Sequence, residues 1–327
     1  MTLAANHDGL LLDLDGTVWS GGVAIEHAVE AINASGLPAM YVTNNASRSA
    51  NDVAEMLRAI DLDAAEEDVL TSAMAAVTMA ERYLEKGDAV YVVGAPSLRQ
   101  LVQEAGYRIV DSADDAPKVV LHGHNPDTGW RQLSEAALSL QGGAKYLATN
   151  LDTSLPMERG FMVGNGSMVA AVTSATGVVP EAAGKPEPAM FTQAAKARGM
   201  HKPLAVGDRL DTDIAGGVAA GMSALHVLTG VSGPQALLQA PKEHRPTYIA
   251  ADMRGLSEPA ETLAPGAQEG FAAHFDGSAI ALTGGNPGAS SLAALRTALD
   301  VAWRQPEPPV EVRAESDAAE AALAEWW

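Results

Sequence analysis

Asp13 and Asp15 lie two residues apart in Asp13-Leu14-Asp15-Gly16-Thr17, directly after Leu10, Leu11 and Leu12. Residues two apart on an extended segment point to the same side, so both carboxylates can face one ligand while Gly16 lets the backbone turn away. One carboxylate can then attack while the other moves a proton. Further along, Thr43 follows an apolar run ending at Val42 and offers a hydroxyl, and the Asn44 amide after it can orient phosphate oxygens or the nucleophile. Lys185, in Ala183-Gly184-Lys185-Pro186, precedes a predicted helix, so an ammonium and a helix N-terminus can serve the same anion. Asp208 and Asp213 belong to Gly207-Asp208-Arg209-Leu210-Asp211-Thr212-Asp213, an acid cluster of the kind that holds a hard, oxygen-seeking cation.

The elements around these residues follow one rhythm. Short apolar runs, GLLLDL and LPAMYVT, alternate with helical patterns over about 24–35 and 49–59, as in a parallel sheet covered by helices. The rhythm resumes late, with a helix over 188–198, the run PLAVGD, a helix over 212–220, the run SALHVLTG and the short strand TYIA. Each chemistry-bearing group therefore falls at a strand's carboxyl end or a helix start, where open α/β sheets bind ligands. The intervening hundred or so residues carry strands of their own, AVYVVGA, KVVLHGH and KYLATN, with helices such as 132–140. They read as a second α/β domain inserted into the first. After Leu256 the segment EPAETLAPGAQEG reads as a linker. FAAHFDGSAIALTGG then resembles a hairpin, and Leu292, Leu295, Leu299 and Trp303 recur at helical spacing. A closing helix over 316–327 brings Trp326 and Trp327 against the body. The expected organisation is a Rossmann-like doubly wound parallel core (1–78 and 183–256), an inserted α/β cap (79–182), and a linker with a small C-terminal αβ extension (257–327).

Composition limits the function classes. With 41 acidic against 21 basic residues, a formal net charge of −20, the chain offers no broad basic surface for nucleic acid or anionic lipid. The absence of cysteine removes thiol nucleophiles, zinc–thiolate sites and disulfides together. The first apolar run carries two aspartates in its middle and has no Lys or Arg ahead of it, so it does not read as a signal sequence. A cytoplasmic protein with no membrane or nucleic-acid partner is expected. Because the global field opposes an approaching anion, a phosphorylated substrate would need positive charge concentrated locally.

The ordered set of nucleophile, hydroxyl, lysine and acid cluster resembles the haloacid dehalogenase superfamily, in its phosphatase branch with a large α/β cap between the second and third motifs (subfamily IIA). The resemblance implies a magnesium-dependent phosphatase. Asp13 would form the aspartyl-phosphate and bind Mg²⁺, Asp15 would act as general acid and then base, and the Asp15 carbonyl would be a further ligand. Asp208 would complete the metal site with Asp213 supporting it, and Thr43, Asn44 and Lys185 would bind phosphate. Within the subfamily, the strings VTNNASRSA, ERGFMVGNGSMVAA, VGDRLDTDI and LTGV are similar to those of actinobacterial glycerol 3-phosphate phosphatases, which implies a small three-carbon phosphomonoester. 2-Phosphoglycolate, pyridoxal phosphate and nucleoside monophosphates remain alternatives on the same core, as does a non-catalytic module that binds a phosphometabolite. By the same resemblance Pro156, Met157, Glu158, Arg159 and Gly160 are candidates for substrate selection, and a homodimer is expected.

Other groups take plainer readings. His122 and His124 lack a third ligand at usable spacing for a metal. Gly164-x-Gly166 reads as a turn before a helix, His226 as a core or strand-end histidine, and Arg48 and Arg209 as partners of a phosphate or of a nearby acid.

Overall fold

The computed structural model describes every residue except Glu158, Pro308, Val310 and Trp327, with the backbone alone of Pro156 and Met157. In chain order the strands are β1 (Gly9–Leu12), β2 (Trp19–Ser20), β3 (Val23–Ala24), β4 (Ala39–Thr43), β5 (Val69–Thr71), β6 (Ala89–Val93), β7 (Arg108–Val110), β8 (Val119–His122) and β9 (Lys145–Ala148). They continue with β10 (Ser154–Met157), β11 (Gly160–Val163), β12 (Glu181–Ala182), β13 (Pro203–Gly207), β14 (Ser223–Val227), β15 (Tyr248–Ala250), β16 (Phe271–Phe275), β17 (Ile280–Gly284) and β18 (Val312–Ala314). The chain divides into two compact units, one of Met1–Ala39 with Ala195–Trp327, the other Met40–Ala194.

In the first unit β1 pairs in parallel with β13, β13 with β14 and β14 with β15. Leu10, Leu11 and Leu12 are wholly buried, as are Leu204 and Leu225. Strands covered on both faces need a continuous apolar run rather than alternation, and these sequences supply one. The helix Ala28–Ser35 starts later than the sequence pattern predicts because Gly21 and Gly22, at φ 60° and 89°, turn the chain into the short hairpin β2–β3. Two successive residues at positive φ make the tight turn whose twist matches antiparallel strands.

The C-terminal residues belong to this unit. β16 pairs antiparallel with β17 and β17 parallel with β18, around the helices Ser291–Ala302 and Asp317–Ala324. The stretch read as a linker carries a helical turn, Ala260–Leu263, with Leu263 fully buried. Arg296, also buried, donates from Nε at 2.9 Å and from Nη2 at 2.5 Å to the carbonyl of Ile249. Trp303 Nε1 donates to Leu237 O at 2.9 Å. Trp326 is buried and bonds Ser291 O, while Trp327 lies outside the described residues.

The second unit contains the parallel pair β4–β5 and a five-stranded sheet in the order β12-β9-β8-β6-β7, parallel throughout. Its core is formed by Tyr91, Val120, Tyr146, Val169 and Val172 among others. The helix Ala50–Arg58 shows how directly sequence sets an element here. Ser49 and Asp52 form a reciprocal cap, and Ala50, Val53, Ala54 and Leu57 make one buried stripe. Full burial of Leu57 contributes about 1.5–3 kcal/mol. β10 and β11 form an antiparallel hairpin. Phe161, Met162 and Val163 stand on it 77%, 51% and 57% exposed.

Candidate active site

The register Leu12↔Val206 brings β1 and β13 to a common carboxyl end, so Asp13 and Asp208 leave neighbouring strands together, and Asp13 N donates to Val206 O at 2.9 Å. Asp213 returns to them through a wide turn over Leu210–Ile214, closed by a bond from Ile214 N to Arg209 O, five residues back. The sequence pattern predicts an ordinary helix from 212; the wide turn precedes the helix Ala215–Ala219. Turns with this i→i−5 spacing recur at functional sites because they redirect one side chain without ending the helix.

The carboxylate oxygens of Asp13, Asp208 and Asp213 lie within 4.8 Å of one another, with Asp208 fully buried, Asp213 buried and Asp13 half-buried. Three acids so close repel unless a cation shares them, and an all-oxygen donor set suits a hard divalent ion. Local bonds hold the set in place. Val231 N donates to Asp208 Oδ2 at 2.6 Å, Thr17 Oγ1 to Asp208 Oδ1 at 3.5 Å, and Arg209 N to Asp213 Oδ2 at 3.1 Å. The glycine at 16 is required: at φ 97°, a Cβ there would stand 2.5 Å from Asp208 Oδ2. The second motif aspartate, Asp15, is exposed at this turn and accepts from Trp19 Nε1 at 3.0 Å.

Thr43, Asn44 and Lys185 belong to the second unit. Thr43 ends β4 and is buried, its Oγ1 accepting from Asn45 N at 3.1 Å. Asn44 is a knot. Its Oδ1 accepts from Lys185 N at 2.8 Å, and its Nδ2 donates to Lys185 O at 3.1 Å and to Asp152 Oδ2 at 3.0 Å. Its own carbonyl accepts from Ser72 Oγ and Asn150 Nδ2, both at 2.7 Å. Both amide hydrogens of Asn44 are thus engaged, and its side chain grips the N–H and C=O of Lys185 as a strand would. Lys185 is only 4% exposed, and this grip fixes the backbone from which its buried side chain leaves.

The other sequence candidates separate. Pro156 and Met157 lie on β10 and Gly160 opens β11; Arg159 is exposed at the hairpin tip, and Glu158 lies outside the described residues. Gly164 and Gly166 pass so close to the backbone at Asp152 and Leu151 that no side chain fits, a packing reason for the turn. Arg209 pairs with Asp211 at 3.0 Å, and Arg48 contacts Met56 Sδ. His122 is buried against Tyr146 OH at 2.8 Å, and His226 against Ser232 O at 2.8 Å. Burial pushes both imidazoles down to about 4, a hydrogen bond with Ser232 opposing it at His226. Among the described residues neither joins a group of three metal-ligating side chains. Trp19, Asn150 and Asp152 escaped the sequence reading: no motif marks an indole as an acid's partner, and Asp152 stands 108 residues from Asn44. The Gly21-Gly22 turn was the available signal for Trp19, since it places a hairpin directly after the acid pair.

Residues 10–108 match the haloacid dehalogenase-like hydrolase family, and residues 182–256 match a second family of such hydrolases. The chain is 39% identical to the D-glycerol 3-phosphate phosphatase of Mycobacterium tuberculosis, over 99% of this chain and 95% of that one. It is 37% identical to an acid sugar phosphatase of Staphylococcus aureus, over 74% and 94%. Among solved structures, a glycerol phosphate phosphatase from M. tuberculosis in complex with magnesium superposes with a TM-score of 0.95 at 40% identity, covering 100% of this chain and 98% of that one. A p-nitrophenyl phosphatase from Archaeoglobus fulgidus superposes at 0.71 with 28% identity, covering 79% and 99%. The chain belongs to the haloacid dehalogenase-like hydrolases.

Proposed function

We propose that the protein is a magnesium-dependent phosphatase that hydrolyses glycerol 3-phosphate to glycerol and phosphate through an aspartyl-phosphate on Asp13. The observation that carries this reading is the convergence of Asp13, Asp208 and Asp213, three hard oxygen donors at one strand end, in a chain similar from end to end to a glycerol 3-phosphate phosphatase. That donor set fits Mg²⁺, with Asp13, Asp208 and the Asp15 carbonyl as its ligands and Asp213 supporting them. When bound, the ion offsets negative charge that would otherwise keep the phosphate from Asp13.

An Asp13 oxygen bonds to phosphorus as the ester P–O bond breaks, and Asp15 protonates the departing glycerol oxygen. Asp15 then takes a proton from the water that attacks phosphorus and frees Asp13. Thr43 and Lys185 donate to the phosphate oxygens, and Asn44 contributes by gripping Lys185. The hairpin candidates Pro156, Met157, Glu158, Arg159 and Gly160 select the alcohol. This division of labour follows a core of 1–78 with 183–256 and a cap of 79–182.

We assign the enzyme to the cytoplasm as a homodimer. Among the described residues no helix is long and apolar enough to cross a membrane. The exposed Phe161, Met162 and Val163 favour a second copy covering the hairpin. Cell fractionation and light scattering test these two points. The catalytic reading is tested by phosphate release with Mg²⁺ and with chelator, comparing glycerol 3-phosphate, 2-phosphoglycolate, pyridoxal phosphate and a nucleoside monophosphate. Glycerol 3-phosphate is expected to lead by about tenfold in kcat/KM, roughly 1.4 kcal/mol of discrimination. A different leader would replace the substrate and keep the mechanism, whereas no hydrolysis of any ester with metal present would make this a binding module.

A further inference from the structure

Trp19 has no role in the chemistry above, yet its indole Nε1–H donates to Asp15 Oδ1 at 3.0 Å from a ring that is 4% exposed. The backbone closes the same loop. Gly16 N donates to Trp19 O at 2.8 Å, and Trp19 N to Leu14 O at 3.0 Å. Trp19 also begins the hairpin, facing Ala24, and Ile25 N donates to Val18 O at 2.9 Å. The indole is therefore fixed by packing and by the hairpin, while the carboxylate it holds stands exposed on a turn. An exposed carboxylate otherwise samples several rotamers, and proton transfer in a transition state demands one of them.

We propose that Trp19 is the positioning residue for Asp15. An indole N–H only donates, so the oxygen it engages must accept. The bond holds the carboxylate in one rotamer for proton transfer. In the first step the Asp13–phosphorus bond forms, the ester bond breaks, and the proton moves from the Asp15 carboxyl to the alkoxide. In the second, water bonds to phosphorus, the Asp13–phosphorus bond breaks, and the proton of that water returns to the Asp15 carboxylate. The inference rests on the reading of Asp15 as general acid.

Trp19→Phe keeps the buried ring and removes the donor. Its kcat/KM, which reports the steps through phosphoenzyme formation, is compared with the unsubstituted enzyme's for glycerol 3-phosphate and for p-nitrophenyl phosphate. An alkoxide needs the proton to leave and a nitrophenolate does not. The substitution is expected to lower the first at least about tenfold, a part of the roughly 10²–10⁴-fold that general acid catalysis supplies, and the second about twofold or less. The ratio of the two rates on one preparation cancels any loss of folded protein. Asp15→Asn, measured beside it, is expected to split the esters further in the same direction. If Asp15→Asn splits them and Trp19→Phe lowers both equally, Trp19 is structural only and the inference is wrong. If Asp15→Asn lowers both equally, the general-acid reading itself fails.

Discussion

Asp13, Lys185 and Asn44 make different demands on substitution. Asp13→Asn keeps the shape and removes the attacking charge, so turnover is expected to fall at least about a thousandfold with the thermal midpoint unchanged or raised, because one of three crowded acids is neutralised. On the proposed reading of Lys185 as a phosphate donor, Lys185→Met is expected to lower kcat about 10²–10³-fold in phosphate-release assays. Asn44→Ala is expected to act on both scales. It leaves the Lys185 backbone groups without their side-chain partners, costing about 1–3 kcal/mol in urea unfolding, and lowers kcat with Lys185 still present. A variant that lost stability but kept kcat would show that the grip on Lys185 is only structural. The acid pair, the lysine and the acid cluster could be read from sequence because each lies in a short contiguous motif. The partners that hold them could not: the Asn44–Asp152 bond spans 108 residues, and sequence assigned the Asn44 amide to phosphate when the fold has engaged it elsewhere.

At the scale of elements, the longer buried parallel strands and several helices follow from the sequence pattern, since continuous apolar runs and striped helices are the two patterns a sequence displays most clearly. The elements that aim the chemistry were harder. The hairpin β2–β3 is two residues to a strand, too short for a periodic signal. The turn over Leu210–Ile214 differs from an ordinary helix by one residue of hydrogen-bond spacing. The C-terminal extension shows the same limit, for a composition rich in Pro, Gly and Glu conceals Leu263 and the buried Arg296. Arg296 satisfies the Ile249 carbonyl from within the extension, and Trp303 the Leu237 carbonyl. Deleting residues 257–327 therefore leaves the Ile249 and Leu237 carbonyls without these donors and uncovers apolar surface on the first unit. The truncated chain is expected to be insoluble or to melt well below the full chain. A truncation with an unchanged melting temperature and full activity would show the extension to be dispensable.

For the molecule as a whole, the net charge of −20 opposes an anionic substrate, so catalysis depends on a few local cations. Buried histidines give the fold a separate acid limit. His122 and His226 titrate near 4 in the native chain against about 6.5 unfolded. Between those values the unfolded chain binds more protons, so stability is expected to fall as pH drops from about 6.5 toward 4, by about 1.4 kcal/mol per pH unit for each histidine. Urea midpoints for His226→Gln should show a shallower acid limb; an unchanged slope would place the titrating groups elsewhere. The central claim is a covalent phosphate on Asp13, and the most direct test is to acid-quench the Mg²⁺-loaded Asp15→Asn variant after brief exposure to p-nitrophenyl phosphate labelled in its phosphate, whose nitrophenolate leaves without the acid, and map the label by peptide. Hydroxylamine-labile label on the peptide carrying Asp13 is the expected result; release of labelled phosphate with no label on protein at any time would contradict it.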